Sequence, residues 1–486
     1  MKKLHDLLDN VRAKEIIGNN PTIAALEYDS RRIDSGSCFF AVMGTASDGH
    51  NYISAAIERG AVAVVCQQLP TEISSDVTYV VVEDSNIAMA AMAAAFYDHP
   101  TTELKLVGVT GTNGKTTTAT LLYDMFMAMG HKAGLISTVI YRIGERSIVS
   151  THTTPDAIRL NAMMRQMVDK GCEYCFMEVS SHAAAQHRID NLHFAGALFT
   201  NLTHDHLDYH GTYKEYIRAK KSFFDNLSPE AWAVVNIDDR NGEVMIQNCK
   251  ARCYRLSLRS MADFRTKIIE MMPNGMQLTI DGKEVWVKFT GRFNAYNLTT
   301  VYAAATLLGI DGIEALTTLS MLEPVAGRFE TITATDSTMA IVDYAHTPDA
   351  LENVLQTIEE IRTEGQRLFV VCGCGGDRDK TKRPEMAKIA AEHATTAIFT
   401  SDNPRTESPE AILNDMVAGV TGATNYLRIS DRREAIRTAA MLAKAGDIIL
   451  IAGKGHEDYQ IIGTVKHHFD DREEIRNAFE NTHQTV

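Results

Sequence analysis

No run of 18 apolar residues occurs anywhere in the 486-residue chain, which excludes a membrane-spanning helix. Positive charge is in short supply: 48 Lys and Arg face 62 Asp and Glu, a net charge of −14. That balance argues against a nucleic-acid or anionic-membrane surface, so an anionic ligand needs a local basic pocket. The opening stretch "MKKLHDLLDN" is interrupted by Asp6 and Asp9 and is not expected to act as a secretory signal. There is no low-complexity tract, no repeat and no heptad pattern, and a monomer is expected. Eight cysteines over this length fit reduced, cytosolic usage. The spacings Cys172-x-x-Cys175 and Cys249-x-x-x-Cys253 admit a zinc reading. However, "EYCFMEVS" has the pattern of a buried strand, which sends alternate side chains to opposite faces, so core filling is the expectation.

What is present is ordinary globular composition, 45% hydrophobic and 23% charged, over a length that supports two to four domains. Three blocks emerge. The first, to about residue 100, mixes short strands ("SCFFAVMG", "AVAVVC", "TYVVVE") with helical stretches and closes on "NIAMAAMAAAFYDHP", a helix apolar nearly all round and stopped by Pro100. The second opens at "LKLVGVT". Strands are expected at Leu106–Thr110, Gly134–Thr138, Cys175–Val179, Gly196–Thr200 and Ala233–Ile237. A β-rich section follows over roughly Arg252 to Phe289, with turn signals at Asn274-Gly275 and Asp281-Gly282. The third block, after "AGRFE", repeats strand–helix units: "MAIVDYA", a helix starting at Thr347-Pro348, then "RLFVVCG", "TAIFTS" and "DIILIAG". This alternation predicts an α/β fold of mainly parallel sheets covered by helices.

The chemistry concentrates at strand ends. "GVTGTNGKTTT" follows a strand and precedes a helix with apolar Leu121, Leu122, Met125, Phe126 and Met129, the setting of a phosphate loop. Amides of Gly111, Thr112, Asn113, Gly114, Lys115, Thr116 and Thr117 would surround phosphate. Lys115 would reach the β/γ-phosphates and Thr116 would hold Mg²⁺. The strict pattern has glycine where this chain has Val109, so the loop is a shortened variant. Two further segments end strands of the same block: "MEVSSHAAAQHR", with Glu178, Ser180, His182, Gln186 and Arg188, and "THDHLDYHG…AKK", with His204, Asp205, His206, Asp208, His210 and Lys220. Carboxylates and imidazoles beside a phosphate loop favour Mg²⁺ with oxygen ligands leading.

These motifs, with "DSR", "HTTPD", "GRFNAYN", "AGRFE", "DYAHTPD", "GGDRDKTKRP", "DNPR" and "AGKGHE" in the same order, resemble the ATP-dependent Mur ligases of peptidoglycan synthesis over nearly the whole chain. The resemblance implies three domains: an N-terminal α/β UDP-binding domain (1–102), a central P-loop-type ATPase domain (103–330) and a C-terminal Rossmann-like amino-acid-binding domain (331–486). It implies a cytoplasmic amide ligase acting on UDP-N-acetylmuramoyl-L-alanyl-D-glutamate. ATP phosphorylates the D-glutamate side-chain carboxylate and an incoming amine displaces phosphate. By alignment with "AKKSFF", Lys220 rather than Lys221 takes up CO₂ as a carbamate and joins Glu178 and His206 around a second Mg²⁺. Asn294, Arg328, Asp343 and His346 match nucleotide contacts. Tyr28, Ser30, Thr45, Ala46, Ser47, Thr153, Thr154, Ser180, Gln186 and Arg188 match contacts to the UDP-sugar dipeptide. Ala183 departs from a glycine common in relatives. Hinges are expected near Arg328–Glu330.

The loop "SDNPRTES" bears on the third substrate. Asp402 and Arg405, stiffened by Pro404, pair an anion with a cation. The resemblance makes Asp402, Asn403, Pro404 and Arg405, with Arg383, Gly453 and Glu457, contacts to meso-diaminopimelate. A lysine-adding relative has no distal carboxylate for Arg405 to pair. Folylpolyglutamate synthetase and a P-loop switch are the more distant alternatives, and neither calls for the "DNPR" loop.

Overall fold

The computed structural model describes residues 1–44, 47–203 and 207–483. The chain divides into two compact units. One comprises Met1–Gly111, Thr118–Thr200 and Lys214–Tyr254; the other comprises Thr112–Thr117, Asn201–Tyr213 and Arg255–Val486.

The first unit holds two larger sheets besides a short antiparallel pairing of Lys2–Lys3 with Thr22–Ile23. Strands β1 (Ala13–Ile17), β2 (Ala25–Glu27), β3 (Ser37–Phe40), β4 (Ala61–Cys66) and β5 (Thr78–Val82) form a five-stranded sheet in the order β1-β5-β4-β3-β2. Only β1 runs antiparallel to its neighbour. Every residue of β3 is buried, as its unbroken apolar run requires of a strand covered on both faces. Helix α1 (Ser85–Phe96) starts at Asp84, whose carboxylate accepts from the amides of Asn86 and Ile87. Its Ala/Met-rich surface is buried from Ala88 to Ala94.

The second sheet of this unit contains β6 (Lys105–Thr110), β7 (Ala133–Ile136), β8 (Ile140–Ile143), β9 (Arg146–Val149), β10 (Tyr174–Glu178), β11 (Phe194–Phe199) and β12 (Trp232–Asn236). Their order is β9-β8-β7-β10-β6-β11-β12, with parallel pairing from β7 through β12. β7 stops two residues before the expected end because Ser137 and Thr138 turn away from the ladder. The Ser137 hydroxyl donates to Ile140 O, and the Thr138 amide donates to Glu178 Oε1. β6 lies centrally and leads through the glycine loop into α2 (Lys115–Ala128). Leu121, Leu122, Met125 and Phe126 of α2 are all buried. Cys172 and Cys175 are buried as well, and all eight cysteines are free thiols. Burial raises the Cys175 thiol far above its usual range.

In the second unit, β13 (Phe264–Met272), β14 (Gly275–Ile280) and β15 (Lys283–Val287) form consecutive antiparallel hairpins. Their turns fall at the two Asx-Gly pairs the sequence marked. Asp281 and Gly282 both take positive φ (47° and 79°), the backbone of a tight two-residue hairpin. The C-terminal sheet is six-stranded. It consists of β16 (Glu330–Thr333), β17 (Met339–Asp343), β18 (Leu368–Cys374), β19 (Thr396–Ser401), β20 (Tyr426–Arg428) and β21 (Ile448–Ala452), in the order β16-β17-β21-β18-β19-β20. All pairs but β16–β17 are parallel. The loops leaving β17, β21, β18 and β19 therefore emerge from the carboxyl edge, where open α/β sheets bind ligands.

Candidate active site

In the first unit, Glu178 ends β10 and is fully buried. Its Oε1 accepts from the Thr138 amide at 2.7 Å and its Oε2 from the Thr138 hydroxyl at 3.2 Å. That hydroxyl also donates to Thr153 Oγ1 at 3.0 Å. Thr154 Oγ1 donates to the Glu178 carbonyl and accepts from the Ser180 amide, tying "HTTPD" to "EVSSH". Ser180 caps the short helix Ser181–Ala185 by accepting from the Ala183 amide at 3.1 Å, so the alanine that departs from the pattern sits in an ordinary helical turn. Arg188 donates from Nη1 to the Thr154 carbonyl and from Nε and Nη2 to Gln186 Oε1. Thr153, Thr154, Glu178, Ser180, Gln186 and Arg188 are thus gathered around one strand end. Thr138, which sequence reasoning missed, buttresses them.

Lys220 lies on the helix Tyr213–Asp225 and is 2% exposed. Its Nζ donates to the Gly111 carbonyl at 2.8 Å and stands 4.9 Å from the centre of the Tyr216 ring. Lys221, by contrast, pairs with Asp225. Tyr28 is exposed, and Ser30 follows Asp29, whose carboxyl the Arg31 guanidinium holds down at about 2. Ser47 is exposed, while Thr45, Ala46 and His206 lie outside the described residues, as do His204 and Asp205. Among the described residues no group of three or more His, Cys, Asp or Glu is placed to hold a metal ion.

In the second unit, the phosphate loop is pinned by Asn201. Its carbonyl accepts from the Thr112 amide, and its side-chain oxygen accepts from the Asn113 amide at 2.9 Å. Asn113 Nδ2 donates to Asp349 Oδ2 at 2.8 Å, and Lys115 Nζ folds back onto the Thr112 carbonyl at 2.9 Å. Thr116 Oγ1 accepts from Arg328 Nη2 at 3.2 Å, and the Arg328 guanidinium lies 4.5 Å from the centre of the Tyr344 ring. Asp343 is buried and accepts from the amides of Phe329 and Ala345, at 2.7 and 2.8 Å. Burial pushes its carboxyl up to about 6, against the pull of Arg328 and the two amides. Phe329, at φ +53°, is held in a left-handed conformation by this contact. His346 Nδ1 lies 2.8 Å from the Tyr344 carbonyl. Asn294 donates from Nδ2 to Thr290 O at the start of its helix.

The loops of the C-terminal sheet interlock. Gly376 lies against Pro404: a Cβ there would stand 1.9 Å from the Pro404 carbonyl oxygen. Arg405 has φ +52° and donates from Nη1 to Gly376 O at 2.7 Å. Asn403 donates from Nδ2 to Glu457 Oε2 at 2.8 Å and accepts from the Ile461 amide on Oδ1. Asp402 is 7% exposed and its Oδ1 is buried without a hydrogen-bond partner. Gly453, at φ +120°, keeps side-chain bulk away from Asp402 Oδ2. Asp402, Asn403, Arg405, Gly453 and Glu457 are thus brought together with Pro404. Arg383 behaves differently from the expected contact. It is fully buried, and its terminal nitrogens are taken by Glu407, Asp415 and the Gly375 carbonyl. The Arg383 fork, helped by the Asp377 amide, holds the Glu407 carboxyl at about 2. Here Arg383 braces the loop.

Three family models match the chain: "Mur ligase family, catalytic domain" at residues 22–97, "Mur ligase middle domain" at 109–305, and "Mur ligase, glutamate ligase domain" at 327–455. The UDP-N-acetylmuramoyl-L-alanyl-D-glutamate--2,6-diaminopimelate ligase of Phocaeicola vulgatus is 53% identical over 482 residues, covering 99% of this chain and 100% of its own. A solved UDP-N-acetylmuramoyl-L-alanyl-D-glutamate--2,6-diaminopimelate ligase structure superposes with a TM-score of 0.68 at 33% identity, covering 95% of this chain and 96% of that one. The MurF ligase of Thermotoga maritima, solved in complex with ADP, shares the fold with a TM-score of 0.61 at 18% identity, over 95% and 98% of the two chains. With three family models matched in order and a relative 53% identical over nearly its whole length, the chain belongs to the Mur ligase family.

Proposed function

We propose that this protein is an ATP-dependent amide ligase of peptidoglycan precursor synthesis, joining meso-diaminopimelate to the D-glutamate side chain of UDP-N-acetylmuramoyl-L-alanyl-D-glutamate. The observation that carries the choice of amino acid is the loop after β19. There a buried Asp402 oxygen with no hydrogen-bond partner stands in the same turn as the Arg405 guanidinium. The acid suits the distal ammonium and the arginine fork suits the distal carboxylate.

In the reaction, a carboxylate oxygen of D-glutamate attacks the γ-phosphorus of ATP. The bond to ADP breaks and an acyl phosphate forms. The amine then adds to the acyl carbon, the tetrahedral intermediate expels phosphate, and the nitrogen gives up its proton as the amide forms. Phosphoryl transfer between two anions calls for positioning and concentrated positive charge more than for covalent participation. Lys115 and Arg328 supply that charge beside the loop amides, with Asn294, Asp343 and His346 assigned to the nucleotide. Arg188, held by Gln186 and Thr154, is the fork assigned to an acidic group of the UDP-linked substrate. Magnesium, when bound, neutralises phosphate and carboxylate charge. Thr116, Glu178, His206 and Lys220 are the residues assigned to hold it. The Glu178 carboxylate, accepting two hydrogen bonds from Thr138, fits that task as an anionic oxygen donor. Lys220 fits only once its amine has become a carbamate, since an ammonium repels a cation.

The same reading divides the chain into domains at 102/103 and 330/331, and it makes the protein a cytoplasmic monomer. No described helix is long and apolar enough to cross a membrane. Phosphate release from ATP tests the reaction class: it should require the UDP-linked dipeptide and diaminopimelate together. ATP turnover independent of any amino acid would overturn it.

A further inference from the structure

Lys454 of "AGKGHE" is fully buried, an unusual place for an ammonium. Its Nζ lies 3.1 Å from Glu457 Oε2, 3.2 Å from Asn403 Oδ1 and 3.6 Å from Asp402 Oδ1, the oxygen with no hydrogen-bond partner. Asn403 bridges the same Glu457 oxygen from its amide nitrogen, so Lys454 and Asn403 hold one edge of the Glu457 carboxylate. The turn that carries the lysine is closely packed. Gly455 follows at φ +52° with the Gly327 carbonyl and Tyr344 packed where a Cβ would go, and the Tyr459 ring lies 5.5 Å from Nζ. Lys454 is therefore a fixed part of the receptor, sealed behind residues assigned to the amino acid.

We propose that Lys454 is a specificity-determining positioning residue whose charge makes the diaminopimelate receptor neutral. The inference rests on the amino-acid assignment above. Two acids, Asp402 and Glu457, are matched by two cations, Lys454 and Arg405. A neutral receptor suits a distal end that is itself neutral, an ammonium beside a carboxylate. The distal end of lysine carries only the ammonium and would leave Arg405 in excess. Without the Lys454 charge the receptor becomes net anionic and turns toward the lone ammonium. Specificity is a difference between two affinities, and one buried charge within 4 Å of both acids is large enough to move it.

The test is steady-state phosphate release by the full chain with ATP and the UDP-linked dipeptide, comparing diaminopimelate with L-lysine. In Lys454→Gln the ratio of kcat/KM values should fall by roughly tenfold or more. The change should appear in the KM of the amino acid, with the KM values of ATP and the UDP-linked substrate unmoved. Lys454→Arg, which keeps the charge, should hold the ratio near that of the native protein. Glu457→Gln leaves one cation in excess and should shift the ratio the opposite way, against lysine; it keeps the question open to disproof if the Lys454 variants do not fold. A ratio unchanged in Lys454→Gln, or lowered in Glu457→Gln, overturns the proposal. A native protein that uses both amino acids equally overturns the substrate assignment instead.

Discussion

At the scale of single residues, several charged groups assigned to the site lie where water does not reach. Lys220 is one case, an amine 2% exposed and directed at the Gly111 carbonyl at the entry to the phosphate loop. Lys220→Ala should remove nearly all phosphate release, and short-chain carboxylic acids should restore a measurable part by standing in for the oxygens of the proposed carbamate. Full activity in the variant would take Lys220 out of the mechanism. Its motif singled this lysine out in the sequence, as other motifs did Glu178 and Arg405, and the structure buries both Lys220 and Glu178. Lys454 was not singled out, because pattern reasoning sends lysine to solvent unless partners are known, and two of its three partners, Asp402 and Asn403, come from a segment about 50 residues away. Arg383 shows the converse limit. A motif marks an arginine as important without saying whether its fork faces a ligand or, as here, Glu407 and Asp415.

At the scale of elements, loop packing sets the accuracy of the site. The hairpins of the second unit were legible because Asx-Gly turns act locally. The interlock of "GGDRD" with "DNPR" was not, because it depends on Gly376 meeting Pro404 across two strand ends. Gly376→Ala would place a Cβ 1.9 Å from the Pro404 oxygen. It should raise the KM for diaminopimelate by roughly tenfold or more while leaving that for ATP in place, since loops must shift to relieve such a clash. A KM for diaminopimelate equal to that of the native protein would contradict the packing argument. Asp343 gives a second element-scale prediction. Its carboxyl titrates at about 6 in the fold against an ordinary 3.8, so the folded chain holds this proton more tightly than the unfolded one. The stability it contributes is complete below about pH 4 and is lost as pH rises to about 6. In denaturant melts, the advantage of the native protein over Asp343→Asn should shrink across that window and then level off. Parallel curves would show that Asp343 does not titrate there.

At the scale of the whole molecule, a chain of net charge −14 needs locally concentrated cations to hold anionic substrates, and the proposed site draws them from a few loops. The alternation of strand and helix made the central parallel strands legible, while strands nearer the sheet edges such as Ala13–Ile17, Ile140–Ile143, Arg146–Val149, Glu330–Thr333 and Tyr426–Arg428 went unread. Parallel strands bring their loops to one edge without further instruction. The sequence alone could not say which loop cations face ligand and which are sealed behind it, since that depends on three-dimensional burial. The central claim is that Arg405 selects the amino acid by pairing its second carboxylate. The most direct test is the ratio of kcat/KM for meso-diaminopimelate over L-lysine, measured in the native protein and in Arg405→Ala. The account predicts a native preference approaching roughly 10⁴-fold that collapses in the variant. A native ratio near one, or a preference that survives loss of the guanidinium, would contradict it.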